Sequence, residues 1–211
     1  NGVNYFLINN HFKCCGDGSL DLNDDSDEEK RRYDAINLLR DYIDENLPNQ
    51  NVIVLGDLND DIAEPQINNV FQLIINDPNY EFVDYQIALG GSSDWSFPNW
   101  PSHLDHILVS DELFDELAYS QVETIKLDQY IDGGWNEYDY NISDHRPVFM
   151  QLAQNMILGD VSGDGSINIL DVVMIVQIVI GNDEIVQSAD FNGDGYINIL
   201  DVVQLIQIII S

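Results

Sequence analysis

Twelve residues recur near the C-terminus, as DVSGDGSINILD at 160–171 and DFNGDGYINILD at 190–201. The copies lie 30 residues apart, and each continues into Val-Val and an apolar run that predicts a helix. Oxygen-bearing residues occupy loop positions 1, 3, 5, 7, 9 and 12, the spacing with which a 12-residue loop surrounds calcium. Gly165 and Gly195 stand at position 6, where such a loop turns sharply.

The repeat predicts two sets of calcium ligands. The first set is Asp160, Ser162, Asp164, the Ser166 carbonyl, Asn168 and Asp171, and the second is Asp190, Asn192, Asp194, the Tyr196 carbonyl, Asn198 and Asp201. Position 12 is Asp in both copies, where a standard EF-hand has Glu, and no helical pattern precedes either loop. We expect two bound calcium ions and folding that is coupled to binding.

Loop–helix pairs of this kind resemble type I dockerin modules, over residues 159–211. The resemblance implies a small all-α module that docks a secreted enzyme onto a cohesin-like or cell-surface protein partner. Members of that family carry polar, partner-reading residues at loop positions 10 and 11, whereas both copies here have Ile-Leu, at 169–170 and 199–200. This departure predicts either a different partner or packing of these residues against each other.

The whole chain is strongly acidic, with a formal net charge of −31. Residues 159–211 contain eight acidic and no basic residues. Such a surface repels polyanions at long range, so we expect part of the charge to serve metal binding and the rest solvation. The longest apolar runs are too short for a membrane span.

The first residues and the cysteines leave more than one interpretation open. Asn1-Gly2 stands directly before a strand-like run, so we expect the chain to begin inside a domain, which makes the missing signal peptide uninformative about export. The two cysteines are adjacent, Cys14-Cys15, a spacing at which a mutual disulfide is strained. They either pair with cysteines outside the chain or form a buried, inert pair.

Residues 1–152 alternate between strand and helix patterns. Strands are predicted over 3–8, 52–55, 104–109 and 147–152, and helices over 28–47 and 65–75. Polar groups stand at the strand ends: Asn10-His11, then GDLND at 56–60, SHLDH at 102–106 and SDHRP at 143–147. Because strand ends present side chains to one site, this set predicts a shared active site in an α/β (α+β) fold.

These motifs resemble the endonuclease/exonuclease/phosphatase superfamily, over about residues 3–152. The resemblance is closest to secreted bacterial members that are described as nucleases. It implies an α/β sandwich of the deoxyribonuclease type, of which this chain matches the C-terminal half. The predicted organisation is therefore a phosphoesterase domain at 1–152, a linker at 153–158 and the dockerin-like module at 159–211.

Phosphodiester hydrolysis gives each site residue a physical role. Asp57 orients or deprotonates water, Asn59 holds a phosphate oxygen, and His11 donates a hydrogen bond to the phosphate. His145, supported by Asp105, acts as acid/base or binds phosphate. Asp144 is the predicted ligand of magnesium or manganese.

Other polar and aromatic residues are assigned plainer roles. His103 and His106 are expected to be capped loop residues. The basic residues Lys13, Arg31, Arg32 and Arg146 are expected to be surface or helix charges, with phosphate contact as the alternative. The aromatic loop of Trp95, Phe97 and Trp100 either stacks on a base or sugar or covers the core.

The expected function is a secreted, extracellular magnesium-dependent phosphoesterase, an endonuclease, anchored through a calcium-loaded module. One alternative is a phosphatase or phosphodiesterase acting on sugar, lipid or inositol phosphates. The other is a catalytically dead remnant that acts only as a binding module. We also expect the chain alone to be nearly inactive, with the strand at 52–55 left exposed by a missing layer.

Overall fold

The computed structural model describes residues 4–117, 120–152, 157–182 and 186–210. Its contacts divide the chain into two compact units, Asn1–Leu152 and Ala153–Ser211. The first is a mixed α/β domain with a central sheet, and the second is a short helical region. Within the predicted linker, residues 153–156 lie outside the described residues. None of the described helices combines the length and apolar character needed to cross a membrane.

The central sheet of the first unit has four strands in the order β1-β2-β4-β3. Their bounds are β1 Tyr5–His11, β2 Asn51–Asp57, β3 Tyr80–Phe82 and β4 Asp105–Ser110. β1 and β2 are parallel, whereas β4 runs antiparallel to both β2 and β3. A second, two-stranded antiparallel sheet pairs β5 (Gln121–Thr124) with β6 (Val148–Gln151).

Helix α1, Glu28–Asn46, makes the crossover between the parallel strands β1 and β2. Asp27 begins it as an N-cap, because its side chain accepts a 2.6 Å hydrogen bond from the Lys30 N–H. Ile36 and Ile43 are buried in the same cluster as Val52 and Val54 of β2. Each such burial stabilises the fold by roughly 1.5–3 kcal/mol.

β2 is covered on both faces. Val52, Ile53 and Val54 are each at most 8% exposed. The face of Ile53 packs in a second cluster with Ile107, Val109 and Leu113, against which β6 residues lie. The expectation of an exposed strand at 52–55 is therefore wrong, because both faces are occupied by this unit's own side chains; the exposed apolar side chains of the sheet lie on β1, at Tyr5, Phe6 and Leu7.

Short elements fill the rest of the first unit. They are α2 Gln72–Ile75, α3 Tyr85–Ala88, α4 Phe114–Leu117 and α5 Gly134–Asn141, with 3-10 turns at Ser92–Asp94, Asp111–Leu113 and Leu127–Tyr130. The helix predicted over 65–75 is wrong for 65–71. There Asn69 donates its side-chain N–H to the Ile62 carbonyl and accepts from the Phe71 N–H, which favours turns over a helix.

The second unit consists of the two repeats. Helix α6, Ile169–Val179, follows the first loop, and α7, Ile199–Ile209, follows the second. A 3-10 turn at Gln187–Ala189 precedes the second loop. The core joins the repeats, because Val172 and Ile175 of α6 are buried in one cluster with Val202 and Leu205 of α7. The small all-α module was thus predicted correctly.

Candidate active site and metal-binding loops

Strand register brings three of the predicted site residues into one row. His11 ends β1 and pairs with Asp57 at the end of β2, and Asp57 pairs in turn with Asp105 at the start of β4. Paired positions on adjacent strands lie about 5 Å apart and project their side chains to the same face. The alignment of His11, Asp57 and Asp105 therefore follows from strand pairing and does not depend on a loop conformation.

Gly56 allows β2 to approach β1 closely at the position just before Asp57. Its φ is +134°, and a Cβ at this position would lie 1.9 Å from the Asn10 carbonyl oxygen of the neighbouring strand. Only glycine fits such a close backbone approach. The strand end is thus shaped by Gly56, the residue that opens the GDLND motif.

His145 completes the cluster from the segment before β6. Its Nδ1 lies 2.6 Å from Asp105 Oδ2, and its Nε2 lies 3.9 Å from Asp57 Oδ2. His11 Nε2 lies 3.5 Å from the same Asp57 oxygen. Because the Asp105 carboxylate accepts, Nδ1 carries the proton there, and Nε2 is the ring nitrogen on the Asp57 side.

The electrostatics of the cluster suit proton transfer. The hydrogen bond to Asp105 raises the pKa of His145. Burial raises the pKa of the Asp57 carboxyl, and the nearby Asp105 carboxylate raises it further. A histidine that holds its proton thus lies beside a carboxylate that accepts one more readily than usual.

Asn59 and Asp144 are placed differently from this core. The Asn59 backbone is left-handed, with φ +56°, and its side-chain N–H donates 3.2 Å to the Phe12 carbonyl. The Asp144 side chain is exposed. At this site, the described residues whose ligand atoms lie within 4.8 Å of one another are Asp57, Asp105 and His145. The roles of Asn59 and Asp144 remain predictions.

Ser96 is a positioning residue that no sequence motif identifies. It is fully buried, and its Oγ accepts hydrogen bonds from the backbone N–H groups of Leu104 and Asp105, each 3.1 Å long. Its carbonyl accepts from the Arg146 N–H at 2.7 Å. One serine therefore ties the Asp105 strand to the segment that carries His145.

The structure also shows the surroundings of the aromatic and basic residues near the cluster. The Phe97 ring lies 4.8 Å from the His145 ring, so it packs against the imidazole of the cluster. Trp100 is 77% exposed. Arg146 makes two 2.9 Å bonds to Asp128 and lies over the ring of Trp135, which belongs to helix α5.

The expectations for Arg32 and the cysteines need correction. Arg32 is 3% exposed and pairs with Asp60 at 2.8 Å, so it is a buried structural cation rather than a surface charge. It also donates to the carbonyls of Lys13 and Cys15. Cys14 and Cys15 are exposed, with their sulfur atoms 2.7 Å apart, which contradicts a buried, inert pair.

His103 and His106 are not loop caps, because both belong to a buried network around Asp84. Their ring nitrogens lie 3.0 and 2.6 Å from Asp84 Oδ2, and the Ile107 N–H donates to Oδ1. His106 Nε2 also faces the Asp60 carbonyl at 2.8 Å. Both partners of His106 can only accept, so its ring carries both protons. Burial alone would lower the pKa of His106, but Asp84 outweighs it and raises that pKa.

In the second unit, aspartates among the predicted ligands accept hydrogen bonds from backbone N–H groups of their own loop. The Asp160 carboxylate accepts from the backbone N–H groups of Gly163, Asp164 and Gly165, and Asp190 repeats the pattern with Asp194 and Gly195. Asp171 and Asp201 are fully buried and accept from loop amides. The position-6 residues Gly165 and Gly195 have φ of +83° and +85°.

Calcium fits these donors. Each loop carries three aspartate carboxylates together with side-chain and carbonyl oxygens at the calcium-loop spacing, and hard cations of calcium's size prefer such sets. The Asn168 and Asn198 side chains also cap helices α6 and α7 by accepting from Leu170 and Leu200 N–H groups. Each loop is therefore joined rigidly to the helix that follows it.

Comparisons with known proteins agree with this geometry. The model of the endonuclease/exonuclease/phosphatase family matches residues 3–145, which include the His11, Asp57, Asp105 and His145 cluster. The model of the dockerin type I domain matches residues 158–210. A search of curated proteins found no match. The chain therefore belongs to the endonuclease/exonuclease/phosphatase family, and its phosphoesterase domain is followed by a type I dockerin domain.

Proposed function

We propose that this chain is a secreted, divalent-metal-dependent hydrolase that cleaves phosphodiester bonds as an endonuclease, delivered by its dockerin domain to an extracellular assembly. The observation that carries the proposal is the register of β1, β2 and β4. It lines up His11, Asp57 and Asp105 beside His145 without distortion. We further propose that the two sheets are parts of the deoxyribonuclease-type sandwich.

The cluster divides the chemistry between an acid and a base. Asp57 takes the proton of the attacking water, for which its raised pKa suits it. His145 keeps its proton through Asp105 and directs Nε2–H at the phosphate or its leaving oxygen. His11, 72% exposed at its side chain, reaches outward to a phosphate oxygen, and Asn59 holds another.

The carboxylates of Asp57 and Asp105 belong to a cluster whose ligand atoms lie within 4.8 Å of one another, and carboxylate oxygens suit a hard divalent ion. Burial and the nearby Asp105 carboxylate raise the pKa of Asp57, and a cation held between the two carboxylates would relieve their repulsion. Magnesium or manganese held there, with Asp144 as a further ligand, would place positive charge on the phosphate oxygens as negative charge develops. The protein residues orient the substrate against that charge.

The surface charge favours a second substrate class, namely small phosphoesters such as sugar, lipid or inositol phosphates. Five of the seven basic residues, all within the described part of the chain, form ion pairs with carboxylates: Lys30, Arg32, Arg40, Lys126 and Arg146. Duplex DNA binding depends mainly on lysine and arginine contacts to phosphates. A small substrate needs few such contacts.

The dockerin domain supplies the partner, a cohesin of a cellulosome-type assembly. Positions 10 and 11 of both loops are exposed: Ile169 by 66%, Leu170 by 49%, Ile199 by 59% and Leu200 by 55%. These residues remain largely exposed, so of the two expectations, a different partner and packing against each other, the first is favoured. We propose that the cohesin contacts these apolar pairs through an apolar surface of its own.

The activity is tested with the purified full-length protein, since the chain alone is expected to be nearly inactive, in magnesium or manganese, on plasmid DNA and on bis(p-nitrophenyl) phosphate. His145→Ala and Asp57→Asn should each lower the rate by at least about a hundredfold. Asp132→Asn, an exposed carboxylate change, should leave it unchanged. Cleavage of the small diester without DNA cleavage would favour the second substrate class.

Two results would contradict the proposal. Rates like those of the unaltered protein in both active-site variants would refute the assigned roles. Absence of hydrolysis on either substrate, with both metals, would leave the domain as a binding module.

A further inference from the structure

A third acidic cluster lies outside both sites described so far. Asp17, Asp27 and Glu29 each place a carboxylate oxygen within 4.8 Å of the other two. Their burial is graded, since Asp17 is exposed, Asp27 is half-buried and Glu29 is 3% exposed. The cluster therefore has a closed inner end and an end that is open to solvent.

Local sequence builds this arrangement from the segment before α1. Gly16 has φ +116°, and a Cβ there would lie 2.2 Å from Glu29 Oε1, so glycine allows the backbone to close over this carboxylate. The Gly18 N–H then donates to Glu29 Oε1 at 2.7 Å. Asp17 accepts from the Ser19 N–H, and Asp27 accepts from the Lys30 N–H as the helix cap.

Glu29 provides the independent sign of a missing ligand. Its Oε2 is buried and has no hydrogen-bond partner among the described residues. Buried carboxylate oxygens are normally paired, because an oxygen without a partner destabilises the folded state. Asp17 and Asp27 likewise each bind a backbone N–H through Oδ1, so each has a second oxygen to offer.

The surrounding positive charge does not balance the cluster. Arg32 lies 3.3 Å from Glu29, but its stronger bond, at 2.8 Å, is to Asp60, a fourth carboxylate. The N-terminus of α1 adds the equivalent of about half a positive charge. Lys30 is paired with Asp25 and Asp34 instead. Four carboxylates thus share one guanidinium and a helix end, and a divalent cation would correct the deficit.

We infer that Asp17, Asp27 and Glu29 bind a calcium ion. The oxygens would be Glu29 Oε2 and the second oxygen of each aspartate, completed by water from the exposed side of Asp17. Calcium suits this set better than magnesium, since it accepts irregular geometry and a variable number of oxygens. The bound ion fastens the 16–27 segment to α1, and Arg32 connects that segment to Asp60, which directly follows the Asp57–Asn59 motif.

The test is a calcium count on the full chain by native mass spectrometry, with calorimetry for affinity. Asp17→Asn and Glu29→Gln each remove one carboxylate from the cluster while retaining a side-chain oxygen for the Ser19 or Gly18 N–H. Asp24→Asn is the matched control, because it removes the same charge from the same segment outside the cluster. The dockerin loops are identical in all four proteins and form a constant background.

We expect the unaltered chain and Asp24→Asn to bind one more calcium than Asp17→Asn and Glu29→Gln, or to bind it at least tenfold more tightly. Circular dichroism checks the folding of each variant. If Glu29→Gln does not fold, Asp17→Asn decides alone, since its side chain is exposed. Equal calcium counts and affinities in the unaltered chain, the control and the cluster variants would overturn the inference.

Discussion

The two units bury carboxylates by opposite means. In the first, Asp84 is fully buried, and the rings of His103 and His106 contact it. In the second, Asp171 and Asp201 are equally buried, but backbone N–H groups are their partners, in a segment without a basic residue. A carboxylate with imidazole partners is neutralised from within the fold, whereas one held by amides alone calls for a cation from solution.

Calcium removal should produce the largest difference between the two units. With a chelator, we expect helices α6 and α7 to lose their protection while residues 4–152 keep their sheet, because three aspartates per loop then repel one another. Hydrogen exchange by mass spectrometry follows both units in one sample. Calorimetry on residues 157–211 should give a stoichiometry near two. Unchanged protection of α6 and α7 without calcium, or no calcium uptake, would contradict the prediction.

Substitutions at Asp84 and His106 should have the converse effect. Asp84→Asn or His106→Gln leaves a buried partner charge unmatched, so we expect each to lower the free energy of unfolding of the first unit by roughly 3–5 kcal/mol. Calcium binding by the second unit should not change. Urea unfolding measures both proteins, with the exposed Asp115→Asn as control. A loss below about 1 kcal/mol in both variants would show that the network is dispensable.

The sequence predicted the repeat unit better than the first unit for a physical reason. The predicted calcium ligands of each loop lie within 12 consecutive residues, so their spacing alone predicts the site, and the helices after them follow from apolar runs. In the first unit, the strand-end motifs correctly predicted that His11, Asp57, Asp105 and His145 converge. Strand ends carry that signal because polar residues interrupt buried apolar runs there.

Residues whose role depends on distant partners were missed. Asp84 stands in an ordinary acidic turn, and only the fold brings His103 and His106 to it. Ser96 has no motif around it, yet its hydroxyl and carbonyl link two site segments. The sequence also did not predict short elements such as β3, β5 and α5, because three to eight residues show too little periodicity. The sequence pattern predicts a helix over 65–71. The structure differs because the side chain of Asn69 bonds to nearby backbone groups, and composition does not show such bonds.

The smallest expected effect is the pH dependence of the buried network. His106 has a raised pKa, so its contribution to stability is complete below about pH 6.5, its unfolded value, and is lost as pH rises through the folded value. For Asp84, burial alone would raise the pKa, but His106 and His103 outweigh it and hold that pKa well below its usual range. Its contribution is therefore present above about pH 3.9 and is lost as pH falls.

Together these signs predict that the network stabilises the first unit most between about pH 4 and 6.5. The difference in unfolding free energy between the unaltered chain and His106→Gln should be larger at pH 5.5 than at pH 8.5, by about 1.4 kcal/mol for each unit by which the His106 pKa is raised, if it is fully titrated there. Urea unfolding at both pH values, in constant calcium, provides the measurement. His106 donates from both ring nitrogens, to the Asp84 carboxylate and the Asp60 carbonyl, so losing a proton must break one of these bonds. A difference that stays constant or grows toward pH 8.5 would mean that the ring is neutral in the fold, and that the two units do not differ in how they neutralise a buried carboxylate.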